Sequence, residues 1–146
     1  MKTTKHFALV ALLVLGATLY ASTPAWAQFD LTPTGAEPGA TGQASMSHLR
    51  YDSAGILDPA NGIGYQAYTC NLDVACQGLT PGATYQTSAG TFQASRDGTG
   101  KARAVKFLLM WEGQNGVLIS EPRVEVYRIN PDGSFTLVLW ATPFSP

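Results

Sequence analysis

Few side chains in this 146-residue chain suit covalent or metal chemistry: Cys70 and Cys76, His6 and His48, and ten carboxylates. Five residues separate the cysteines in "CNLDVAC". That spacing matches neither a zinc knuckle nor the C-x-x-C of a redox enzyme. His48 would need a nucleophile and an orienting acid beside it to act as a base, and the sequence places neither. Asp52, Asp58, Asp73, Glu112, Glu121 and Glu125 fall in turns or alternate outward on strands. They read as solvated charges rather than as a glycosidase pair. Asp97 and Asp132 each precede a glycine, and the turn explains them without calcium. Phosphate-loop, HExxH and GxSxG patterns are absent from the sequence. The expectation is no catalytic residue, no metal and no cofactor.

The remaining chemistry is recognition, and it sits near the end of the chain. In "RVEVYRINPDGSFTLVLW" two alternating runs flank Asn130-Pro131-Asp132-Gly133. Pro suits the second position of a type I turn and Gly the left-handed residue after it. Setting Asn130 opposite Gly133 pairs Val126 with Leu137 and Val124 with Leu139, one apolar face. The other face then carries Arg123 opposite Trp140, Glu125 opposite Val138 and Tyr127 opposite Thr136. Trp140, Tyr127, Val138 and Arg123 are therefore the candidate binding residues, an aromatic face with a cation in reach of an indole. The competing reading is that this face packs against a second layer.

Those residues need strands to hold them, and the clearest strand lies upstream. Tyr68, Cys70, Leu72, Val74 and Cys76 recur at every second position, the period of a strand with one buried face. A straight strand separates the two sulfurs by about 20 Å. A disulfide needs Cα atoms within about 7 Å, so a Cys70–Cys76 bridge requires the chain to fold back at 71–74. Export favours the bridge; the alternation favours two separate buried thiols. "GLTPGATY" follows, a Pro81-Gly82 turn leading to Tyr85.

Other strands are expected near Phe29–Leu31 as an edge, over 44–52, over 91–95, and over 101–113 with Val105, Phe107, Leu109 and Trp111 inward. "SAGILDPANGIG" reads as a loop, and "VLISEP" as at best an edge strand, since it ends on Pro122.

Lys2 and Lys5, the apolar run "FALVALLVLGATLYA" and the exit Ala25-Trp26-Ala27 describe a secretory signal peptide over residues 1–27. The run is too short to span a bilayer. Residues 28–43 are expected to form a Pro/Gly-rich extended arm, and 44–146 one domain. Without Lys2 and Lys5, seven basic residues face ten acids. No basic block points to nucleic acid, and no second apolar run points to a membrane span.

Short strands, frequent turns and no helical period predict an all-β, antiparallel Greek-key sandwich of about seven or eight strands. The turn "GLTPG" with Tyr85, "GTFQASRDGTGKA" and the final hairpin resemble immunoglobulin-like and fibronectin type III domains, and more loosely the layout of copper/zinc superoxide dismutase and chordin-repeat domains. The resemblance implies that Tyr85 is a structural corner whose hydroxyl bonds nearby backbone. Dismutase chemistry is not implied, because His48 is the only histidine after the leader. The expected function is a secreted or periplasmic non-enzymatic module, structural or binding a protein or glycan. The alternative is a small secreted hydrolase or inhibitor-like protein.

Overall fold

The computed structural model describes residues 27–143; the expected leader, save Ala27, lies outside them. Nine strands are present: β1 (Ala27–Pro33), β2 (Thr41–Asp58), β3 (Ile63–Gln77), β4 (Thr84–Thr87), β5 (Gly90–Gln93), β6 (Gly100–Gln114), β7 (Val117–Ser120), β8 (Val124–Ile129) and β9 (Phe135–Ala141). They form one antiparallel sheet in the order β5-β4-β8-β9-β1-β2-β3-β6-β7, and no helix occurs among the described residues.

The all-β antiparallel expectation is met, but the architecture is a nine-stranded sheet curled into a half-barrel. The reason lies in β1, expected as an edge. It pairs with β2 through Ala27–Leu31 and with β9 through Thr32 and Pro33. One strand thus turns the corner between two halves that would otherwise be separate layers. Their inner faces meet over Leu31, Met46, Leu72, Val74, Val124, Val126 and Leu139, all buried. A side chain at Gly42 of β2 would stand 3.0 Å from Leu139 of β9. At one end the curl closes, where the Phe92 ring of β5 lies over Gly100 of β6.

Strand β3 keeps the expected alternation without interruption, with Cys70, Leu72, Val74 and Cys76 buried. The cysteines are free thiols. The expected bridge is therefore replaced by the two-thiol arrangement, because paired neighbours on both sides hold β3 extended between Cys70 and Cys76. Burial raises both thiol pKa values, Cys76 to about 12.

The flanking strands do not keep their alternation. In β2 the register shifts between Ser47 and Arg50, and in β6 between Ala104 and Phe107, both beside Asn71. His48 and Lys106 adopt left-handed φ values of 56° and 59° at these points. A bulge inserts one residue, bends the strand and reverses which parity faces inward. Val105, expected inward, is consequently exposed, while Ala104 and Phe107 pack on the core. Beyond the bulges β2 runs on to Asp58 through the segment expected as a loop, and β2, β3, β6 and β7 extend past the core as a four-stranded wing.

The last hairpin also differs in register. Gly133 N–H donates to Asn130 O and Asn130 N–H to Ser134 O, with Gly133 at φ 82°. Gly133 is therefore the extra bulge residue of a type I turn, and Asn130 faces Ser134 rather than Gly133. Tyr127 pairs with Leu137, and a second shift brings Val126 opposite Leu139 and Glu125 opposite Trp140.

Candidate functional site

The second shift in β9 decides what the outer face contains. Two consecutive residues, Val138 and Leu139, turn inward there, and Val138 is only 1% exposed. Val138 is thereby corrected from the candidate site to the core. Its inward turn leaves Phe135 and Leu137 before the bulge, and Trp140 after it, on the outer side with Tyr127 and Glu125.

The candidate residues that remain outside do come together. The Arg123 guanidinium lies over the Trp140 indole, 5.4 Å from the ring centroid. Glu125 stands directly opposite Trp140, and Thr32 of β1 flanks it on the other side. Tyr127 meets Phe135 edge to face at 6.3 Å. Partial burial, a hydrogen bond to Glu125 and its charge push the Tyr127 phenol above its ordinary value, with Arg123 opposing. Ser88, between β4 and β5, fixes the entry to β8: Glu125 N–H donates to Ser88 Oγ at 3.0 Å, and Ser88 Oγ–H donates to Arg123 O at 3.3 Å. The result is an aromatic strip with one charge of each sign.

A second polar centre holds the corner between the halves. Thr80 N–H donates to the Tyr85 hydroxyl at 3.0 Å, and that hydroxyl donates to Glu37 at 2.7–2.8 Å. Glu37, 6% exposed, also accepts from Arg128 at 2.9 Å and from the Thr80 hydroxyl at 3.2 Å. Burial first, then the bond to Glu37, raises the Tyr85 pKa. Glu37 sits in "TGAEPGA", where nothing in composition or period marks a buried carboxylate. Arg128 carries an equally ordinary pattern. These bonds tie the loop between β1 and β2 to Thr80, to Tyr85 of β4 and to Arg128 of β8, so the cluster acts as a clamp.

His48 stays apart from both centres. It is exposed on its bulge, with Nδ1 3.1 Å from Ser47 Oγ and 3.4 Å from Asn71 Nδ2. Among the described residues no group of three or more His, Cys, Asp or Glu side chains is placed to hold a metal ion. Nor do they include a helix long and apolar enough to cross a membrane. The wing carries an open cleft of about 770 Å³, lined by Ile56, Gly64, Trp111, Gly113 and Leu118 among others. No family description, curated protein or solved structure matches this chain.

Proposed function

We infer that this protein is an exported, non-enzymatic module, secreted or periplasmic, that binds a partner protein through the outer strip of Arg123, Glu125, Tyr127, Phe135 and Trp140. The carrying observation is the Arg123 guanidinium seated over Trp140. A sugar ring stacks on an open indole face, whereas here a cation already lies over the indole. A partner that brings a carboxylate and an apolar side chain engages the cation and the aromatics together, the combination enriched at protein hot spots. The leader-like residues 1–27 support export. The Tyr85 corner and the facing halves support kinship of layout with immunoglobulin-like sandwiches.

The test is capture of partners from envelope and extracellular fractions by the mature protein, followed by affinity measurement. Trp140→Ala should weaken the authentic partner at least tenfold, about the effect of a hot-spot aromatic. Equal affinity of parent and Trp140→Ala refutes the assignment. Retention of a polysaccharide in place of a protein moves the strip to glycan recognition.

A further inference from the structure

The two bulges that flank Asn71 place the same kind of side chain on both sides of it. In β2, Met46 is buried and Leu49 packs on the core, so Ser47 and His48 between them both face outward. In β6, Ala104 and Phe107 pack on the core, so Val105 and Lys106 both face outward. Asn71 shares that outer face, since Cys70 and Leu72 on either side of it are buried. The left-handed place is taken by His48 in one strand, with φ 56°, and by Lys106 in the other, with φ 59°. Glycine is the default residue for that conformation. Any other side chain held there costs free energy, and such residues gather at ligand clamps. Here both places go to side chains that donate to anions.

We propose that this band binds a tetrahedral oxyanion of the phosphate or sulfate type, free or as an ester. Lys106 reaches it from β6 and Arg50 from β2, where Arg50 pairs with Thr69, the next outward residue of β3. Strands β2 and β6 lie on either side of β3, about 10 Å apart, a gap that two long side chains close over one ion. Both cations are exposed. The ion pairs among the described residues are Arg103–Asp73 and Arg128–Glu37, so neither Arg50 nor Lys106 is answered by a carboxylate. Asn71 Nδ2–H donates to His48 Nδ1 at 3.4 Å, which leaves His48 Nε2 to carry the ring proton as a further donor.

The acids nearest the band are already engaged. Asp73, the next outward residue of β3 on the other side of Asn71, lies 3.6 Å from Arg103. Asp52 accepts the Ser53 hydroxyl at 2.9 Å. The chain after the leader carries seven basic residues against ten acids, so the paired cations are a local feature and not the sign of the whole molecule. The Arg50 fork matches two oxygens of a phosphate or sulfate, and the Lys106 ammonium meets the others from the opposite strand. The band is open to solvent, so its affinity for the free ion is about millimolar. It shares no residue with the strip around Trp140 and stands whether or not that strip binds a partner.

The test is a titration of inorganic phosphate into the isotope-labelled mature protein at constant ionic strength, followed by nuclear magnetic resonance. Signals of Asn71, His48, Arg50 and Lys106 should shift together and saturate at about millimolar concentration. Arg50→Gln and Lys106→Gln should each weaken binding about tenfold, whereas Lys101→Gln, on the same face but farther along β6, should not. His48→Gly and Lys106→Gly separate binding from architecture. Glycine suits the left-handed place, so the melting temperature should hold or rise while phosphate binding falls. Shifts that never saturate, that chloride reproduces, or that survive both glutamine variants overturn the proposal. So does unchanged binding in Lys106→Gly. Vesicles identify the source of the oxyanion. If phosphatidylglycerol vesicles sediment the parent but not Lys106→Gln, the site takes a lipid headgroup; if free phosphate binds and the vesicles do not, it takes a soluble anion or ester.

Discussion

Replacing Tyr85 by Phe removes one oxygen from the corner and should cost stability out of proportion to its size. That oxygen accepts the Thr80 N–H at 3.0 Å and donates to the buried Glu37 carboxylate at 2.7–2.8 Å. The ring itself is fully buried and stacks on Phe92 at 5.6 Å, so Phe fills the same space and the change isolates the hydroxyl. Hydrogen bonds to charged groups contribute about 1.5–3 kcal/mol each. Thr80 N–H keeps a longer bond to Glu37 at 3.3 Å, and Glu37 keeps Arg128, so no group is orphaned. The expected loss is therefore about 2 kcal/mol. In urea, with a slope of about 1.5 kcal/mol/M, the midpoint should fall by more than about 1 M. The pH dependence carries a sign. The folded-state pKa of Tyr85 lies above its ordinary value of 10.0, so the fold favours the neutral phenol. The contribution is present below that ordinary value and is lost as pH rises through the folded value. Tyr85→Phe should flatten this alkaline limb. A midpoint within about 0.3 M of the parent, or an unchanged alkaline limb, would refute the reading of Glu37 and Tyr85 as a clamp.

Two further expectations follow from packing. A methyl at Gly100 would fall inside the Phe92 ring, so Gly100→Ala should lower stability by about 1–3 kcal/mol, and Phe92→Leu should relieve part of that loss; thermal melting of the two single variants and the double variant decides it, and a melt unchanged by Gly100→Ala removes the β5–β6 closure. Cys70 and Cys76 should stay unreactive toward a thiol reagent in the native protein and both react after unfolding without reductant, since burial pushes the Cys76 thiol to about 12 and leaves almost no thiolate near neutrality; an unfolded chain with no reactive thiol would establish the bridge instead.

The alternation of a strand is legible only while nothing is inserted into it. Strand β3 has no bulge, and its inward set from Cys70 to Cys76 stands in the sequence as a period of two. Strand β2 takes three inserted residues and β6, β7 and β9 one each, and at two of those points stand His48 and Lys106, neither of which announces a left-handed conformation. Every inward assignment on one side of such a point is then displaced by one position. Val105, Leu137 and Val138 are misplaced in this way: Val105 and Leu137, expected inward, lie outward, and Val138 the reverse. At the final hairpin the turn itself was readable from Asn130-Pro131-Asp132-Gly133. Whether Gly133 occupies a paired place or the extra place of a bulge is decided by hydrogen bonds between strands, which local composition does not encode. Glu37 was hidden for a different reason. A carboxylate in a Pro/Gly-rich loop is solvated by default, and only the long-range approach of Tyr85, Thr80 and Arg128 makes it a buried hub.

The two bulges beside Asn71 have a consequence that joins the fold to its surfaces. Strands commonly run five or six residues, yet β2 has 18 residues and β3 and β6 have 15 each. Burial carries just past the bulges, to Ala67, Cys70 and Leu109. Past the bulges, Tyr51, Tyr68 and Trp111 cover one another edge to face at 5.8 Å, and farther out Ile56, Leu57 and all of β7 face solvent. Ordering that outer segment costs chain entropy while burying little apolar surface. What holds it is backbone pairing among β2, β3, β6 and β7, with the edge-to-face contacts of Tyr51, Tyr68 and Trp111 at its base.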